Sequence, residues 1–100
     1  MSAHETERAA ELLRAGAHPL RIRTVELLAE SDRPLSTTAL ARHFQLSLAG
    51  TAYHVRLLHS LGDIAPLSGR QRRGAYETFY VLAPAGIRLL HAIAAVREPT

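Results

Sequence analysis

Cysteine is missing from the chain altogether. Its absence excludes disulfides, thiolate catalysis and every cysteine-based zinc site, and it fits a reducing compartment. Lysine is missing too, so all twelve basic residues are arginine, the cation suited to bidentate contacts with phosphate or guanine, unless the bias is only a habit of the genome. No apolar run approaches the length of a membrane span, and the first thirteen residues, MSAHETERAAELL, hold acids where a signal peptide needs a basic start and an apolar stretch. We therefore expect a cytoplasmic protein. There are no repeats, low-complexity tracts or linkers, and no phosphate loop, clustered carboxylates or nucleophile-and-base motif to suggest an enzyme. Tyr53 and His54 cannot act as an acid and base pair, because neighbours on a helix diverge by about 100°.

What remains is ordinary globular material. The 100 residues are 47% apolar and 21% charged, enough for one domain with a single modest core. The net charge of +3 is unevenly placed: residues 1–50 hold six Arg against six acids, and residues 51–100 hold six Arg against three. The excess lies entirely in the second half.

Periodicity and punctuation give an order α-α-(β)-α-α-β-β-α. Residues 5–15 read as a helix with the narrow stripe Ala9, Leu12 and Leu13, which must dock on the domain or on a partner subunit. Pro19 suits a first helical position, and the helix it opens, running to Ser31, should turn Ile22, Val25, Leu28 and Ala29 inward with Leu20 or Leu27 at the margin. Leu35 suits a one-residue β bridge. Residues 36–44 form a short helix capped by Ser36, with Leu40, Ala41 and Phe44 inward. Only Gln45 and Leu46 separate it from residues 47–62, capped by Ser47 and stopped by Gly62. There Val55, Leu58 and Leu61 share one face with Leu48, Thr51 and Ala52 behind them, while Ala49, Gly50, Tyr53, His54 and Arg56 fall on the others. A strand over residues 63–68, interrupted by Pro66 and so an edge or bulged strand, leads to a glycine-bracketed turn over residues 69–74. The best strand, residues 75–82, follows, with Tyr80 and Leu82 on one face and the apolar Phe79 and Val81 on the other. Pro84 opens a last helix to Arg97 whose stripe of Ile87, Leu90, Ile93 and Ala94, with Val96 near it and Leu89 beside it, is more apolar than a tail should expose.

Two helices joined this tightly, the second with a small-residue front, have the pattern of a helix-turn-helix. The chain resembles the winged helix-turn-helix regulators of the ArsR type, in particular the small bacterial subgroup with a His-Pro-Leu-Arg start and a Tyr-His-Val-Arg recognition helix. The matching residues are His18, Pro19, Leu20 and Arg21; Leu40 and Ala41; Leu46 and Ser47; Tyr53, His54, Val55 and Arg56; Leu58; Gly62; Arg73 and Gly74; and the strand end Tyr80, Val81 and Leu82. In order and spacing they span about two thirds of the chain. The sequence departs from the pattern at Thr51, where a hydrophobic residue is expected, at Ala52, where Ser or Thr is common, and at Gln45, where Gly is common.

The resemblance implies a mainly α fold with a small β-hairpin, a single domain over residues 1–100, and a sequence-specific DNA-binding regulator acting as a homodimer. Residues 18–83 would be the DNA-binding unit, with recognition helix 47–61 in the major groove and wing 63–82 on the backbone or minor groove. The expected DNA contacts are Ser47, Ala49, Gly50, Tyr53, His54, Arg56, Arg70, Arg72 and Arg73. Small residues at the helix front let the backbone approach the bases, and arginines on a hairpin suit phosphates or a narrow minor groove. Leu12 and Leu13 with Ile87, Leu90, Ile93 and Ala94, from flanking helices 5–15 and 84–97, would join the subunits. No cofactor is implied, the effector is open, and no histidine spacing makes a ready metal site, although one spanning subunits through His4, His18 or His91 stays open. A second reading, from a different class, is a winged-helix protein-interaction module that binds no DNA.

Overall fold

The computed structural model describes residues 18–72 and 75–97. Helices α1 (Pro19–Glu30), α2 (Thr37–Phe44), α3 (Leu48–Ser60) and α4 (Pro84–Arg97) enclose a three-stranded antiparallel sheet of β1 (Leu35–Ser36), β2 (Ile64–Arg72) and β3 (Ala75–Leu82), in the order β1-β3-β2. The expected mainly α fold with a small hairpin is the observed one, with β1 adding a short third strand. The expected helix at residues 5–15 lies outside the described residues.

Local chemistry fixes the boundaries. Ser36 Oγ accepts from Ala39 N at 3.1 Å and Ser47 Oγ from Gly50 N at 3.0 Å, so both caps satisfy an amide that the first helical turn leaves free. Gly62, at φ 79°, ends α3 in the left-handed region as expected. Proline opens both α1 and α4. β2 is an edge strand, and its register with β3 shifts between Pro66 and Ser68, a bulge where proline cannot donate to the ladder.

The core centres on Leu28, Leu40, Val55, Leu58 and Ile64, with Leu27, Leu35, Phe44, Tyr80 and Leu82 packed around it. Val25, Leu89 and Ile93 form a second cluster that seats α4 on α1. Of the two apolar faces of β3, the one carrying Tyr80 and Leu82 is thus the inward one.

Several inward assignments need correcting. On α1 the buried set is Thr24, Val25 and Leu28, with Ile22 packed against the second cluster as expected but Ala29 exposed. Thr24 passes for an apolar residue because its hydroxyl donates to Leu20 O at 2.7 Å within its own helix. Thr51, buried on α3, does the same with Ser47 O at 2.8 Å, so it fills the expected hydrophobic position without an unpaired polar group. Leu48 and Leu61, expected inward, are exposed. On α4 the core face is Gly86, Leu89, Ala92 and Ile93. Ile93 therefore belongs to the interior of its own subunit, whereas Ile87 and Ala94 remain exposed and Leu90 half-buried.

Candidate nucleic-acid interface

The α2-turn-α3 unit is set by one backbone conformation. Gln45 stands at φ 56° and ψ 46°, and among the described residues it is the one non-glycine with positive φ. Its amide donates to Arg42 O at 3.3 Å and the next amide, of Leu46, to Ala41 O at 2.9 Å. This pair of reversed bonds closes a helix through a left-handed residue, and it aims α3 across α2 after only a three-residue break. A left-handed glutamine costs on the order of 1 kcal/mol relative to glycine, which the two bonds offset.

Packing of Thr51, Val55 and Leu58 leaves the opposite side of α3 bare. Ser47, Ala49, Gly50, Tyr53 and Arg56 are all exposed there, Tyr53 at 66%. The front of the helix is small for a local reason as well as a spatial one: a Cβ on Gly50 would stand 2.9 Å from the capping Ser47 Oγ. Free amides, a serine hydroxyl and low side-chain bulk at a helix N-terminus suit an approaching phosphate or base edge. Leu46 and Leu48 are exposed beside this front.

His54 departs from the expected arrangement. It is half-buried, and its Nε2 lies 3.3 Å from Thr24 Oγ1 on α1. The Thr24 proton is already given to Leu20 O, so Nε2–H must donate to Thr24 Oγ1, and Nδ1 is the unprotonated nitrogen of the neutral ring. Burial lowers the His54 pKa below its ordinary 6.5; the Leu20 backbone raises it, His18 lowers it and Asp63 raises it, with burial prevailing. His54 thus ties the helix to α1 rather than standing free on the bare face.

The wing is longer than expected. β2 continues through the residues expected to turn, with Arg70 opposite Glu77, Gln71 opposite Tyr76 and Arg72 opposite Ala75. Arg70 and Arg72 are ladder positions rather than turn positions, and Arg73 lies outside the described residues. Tyr76, which sequence reasoning passed over, is 68% exposed on the wing. Its only sequence signal was an aromatic residue in a strong strand, which marks a strand before it marks a contact.

A contact missed entirely sits at the wing's base. Arg21 of α1 makes a bidentate ion pair with the fully buried Asp63. The amide of Asp63 donates to Leu58 O, and its carbonyl accepts from Ala83 N at 2.9 Å. One residue therefore gathers α1, the end of α3, the start of the wing and the approach to α4.

Of the expected subunit contacts, Leu12 and Leu13 lie outside the described residues. Among the described residues no three His, Cys, Asp or Glu gather to hold a metal ion, and no helix is long and apolar enough to cross a membrane. His18 Nδ1 is occupied as the cap of α1, accepting from Leu20 N at 3.1 Å.

No family model and no curated protein matches the chain. Solved structures do. MepR of S. aureus in complex with DNA superposes with a TM-score of 0.69 over 94% of this chain and 77% of its own, at 18% identity. A protein with a GntR superfamily winged-helix-turn-helix domain from Halomicrobium mukohataei gives 0.62 at 28% identity, over 95% of this chain and 67% of that one. HlyU from Vibrio cholerae gives 0.55 at 26% identity, over 93% and 97%. The chain is a winged helix-turn-helix domain.

Proposed function

We propose that the protein is a transcriptional regulator of the ArsR type that binds duplex DNA as a homodimer, with α3 in the major groove and the hairpin on the backbone or minor groove. The observation that carries this reading is the bare face of α3, small at Ser47, Ala49 and Gly50 and polar at Tyr53 and Arg56, on a helix-turn-helix whose internal packing uses the opposite face. MepR, a structural neighbour, is itself seen on DNA. Residues 18–83 form the DNA-binding unit within a single domain over residues 1–100. Tyr53 and Arg56 reach base edges or phosphates, His54 positions the helix, and Arg70, Arg72 and Arg73 supply the wing's charge. The subunits join through Ile87, Leu90 and Ala94 of α4, aided by residues 5–15, which puts the two α3 helices about 34 Å apart on successive major grooves.

The test is a fluorescence titration of random duplex DNA at stepped salt concentrations. Affinity should fall steeply and log-linearly with salt, as counterion release requires. Exposed Leu46 and Leu48 beside the front favour a second reading, a protein-interaction module, because apolar side chains at that point suit a protein surface as well as thymine methyl groups. Failure to bind duplex even at low salt, with a hetero-complex on a sizing column, would select it.

A further inference from the structure

The front of α3 is short of groups that read a base by hydrogen bonds. Leu48, Ala49, Tyr53 and Arg56 are exposed and Ala52 half-buried, and these five succeed one another at spacings of three and four residues along one side of the helix. The side chains that fork onto guanine, adenine or cytosine are Arg, Lys, Asn, Gln, Asp and Glu. Of those residue types α3 contains Arg56 alone, and it stands about two turns behind the front. The exposed side chains of the first turn, Leu48 and Ala49, offer only aliphatic carbon.

Leu48 is the part of this surface to which the fold gives no use. It is 56% exposed, and among the described residues it belongs to neither of the two apolar clusters. Leu46, also exposed, precedes the Ser47 cap, where an apolar residue commonly staples the entry of a helix. At the first helical position Leu48 has no such duty, and for the helix itself alanine would serve as well.

Charge indicates what covers it. Residues 33–62 hold Arg33, Arg42 and Arg56 and not one Asp or Glu. That run includes all of α2, the turn and α3, so the unit that presents Leu48 carries positive charge and no negative charge. Such a surface suits a polyanion. Among the base edges of the DNA major groove, one group is apolar, the C5-methyl of thymine.

We propose that the front of α3 reads thymine, with Leu48, beside Ala49 and Ala52, packing on the C5-methyl groups of an A·T-containing half-site. The inference rests on the DNA-binding reading and adds to it the chemistry of the base contacted. Tyr53 and Arg56 serve the positions behind the front.

Uracil in place of thymine deletes the methyl and keeps every hydrogen-bonding group, which makes the test direct. The full-length protein first selects its preferred sites from unmethylated random duplexes, in which thymine alone supplies that methyl; the selected half-sites should share at least one thymine. Replacing the shared thymine by uracil should weaken binding about fourfold for each methyl lost. Leu48→Ala should bring the thymine duplex down to the affinity of the uracil one, with the salt slope unchanged because the phosphate contacts are untouched. 5-Methylcytosine is the other source of the group, and a 5-methylcytosine·guanine pair at that place should bind more tightly than a cytosine·guanine pair. Equal affinity for thymine and uracil duplexes, a ratio that Leu48→Ala leaves intact, or no gain from 5-methylcytosine overturns the proposal and leaves DNA binding standing. Failure to bind any duplex at low salt removes both, and a hetero-complex would then give Leu48 to a protein partner.

Discussion

Arg21 holds Asp63 through two parallel hydrogen bonds, Nε to Oδ2 and Nη2 to Oδ1, the second at 3.0 Å, across 42 residues of sequence. With the carboxylate fully buried and the guanidinium largely so, solvent does little to screen the pair. Removing the cation alone strands a buried charge, so Arg21→Ala should destabilise the domain by about 3–5 kcal/mol. Arg21→Lys should recover only part of this, because an ammonium cannot match the fork geometry. Denaturant midpoints of the two variants check both statements.

The same corner carries a steric constraint. A Cβ on Gly86 would collide with the carbonyl of Asp63, which is committed to Ala83 N. Gly86→Ala should cost about 1–3 kcal/mol by overpacking, read as a lowered melting temperature, whereas Arg88→Gly on the exposed face of α4 should cost no more than the ~1 kcal/mol of helix propensity.

Gln45 is strained, at φ 56° and ψ 46°, in a left-handed conformation that glycine adopts freely. Gln45→Gly should stabilise by up to about 1 kcal/mol, the left-handed penalty less the added entropy of the unfolded chain. Gln45→Val, β-branched, should destabilise. Thermal melts of the pair separate backbone conformation from side-chain contact at this exposed position.

His54 gives the domain a pH dependence with a defined sign. Its pKa is lowered on folding, chiefly by burial, so the unfolded chain binds the proton more readily. The His54 contribution is complete above pH 6.5, the ordinary value, and is lost progressively as pH falls below it towards the folded value. His54→Gln should flatten the decline in melting temperature between pH 7 and pH 5; a decline of unchanged size would assign it to another group.

Much of this was legible in the chain itself. Ser36, Ser47, Gly62 and Pro84 are local punctuation, and the elements begin and end at them because caps and left-handed stops depend on neighbouring residues alone. Inward faces were less legible. Thr24 and Thr51 look polar until their hydroxyls are seen returning to carbonyls four residues earlier, and Leu48, Leu61 and Ala29 look apolar although they are exposed among the described residues. Ile93 was placed at the subunit contact because the stripe on α4 is wide, and only the docking of α4 on α1 divides it into a core face and a free face. The wing's ladder runs past Gly69, paired with Thr78, because backbone pairing tolerates glycine, so composition placed the turn too early. Arg21 with Asp63, and His54 with Thr24, join residues 42 and 30 apart, which no local period reveals.

On the proposed interface, the two kinds of contact should fail differently. Arg72→Ala with Arg73→Ala should weaken binding to all duplexes alike and reduce the salt slope, whereas Tyr53→Ala or Arg56→Ala should narrow the gap between preferred and random sites. Competition gel shifts with both duplexes measure the difference.

The most direct measurement is a map of backbone amide chemical shifts as duplex DNA is added to the isotopically labelled protein. The account predicts that the perturbed amides run from Ser47 to Arg56 and along the hairpin, with the core face of α4 unmoved. Perturbation confined to α4, or none at low salt, would contradict it.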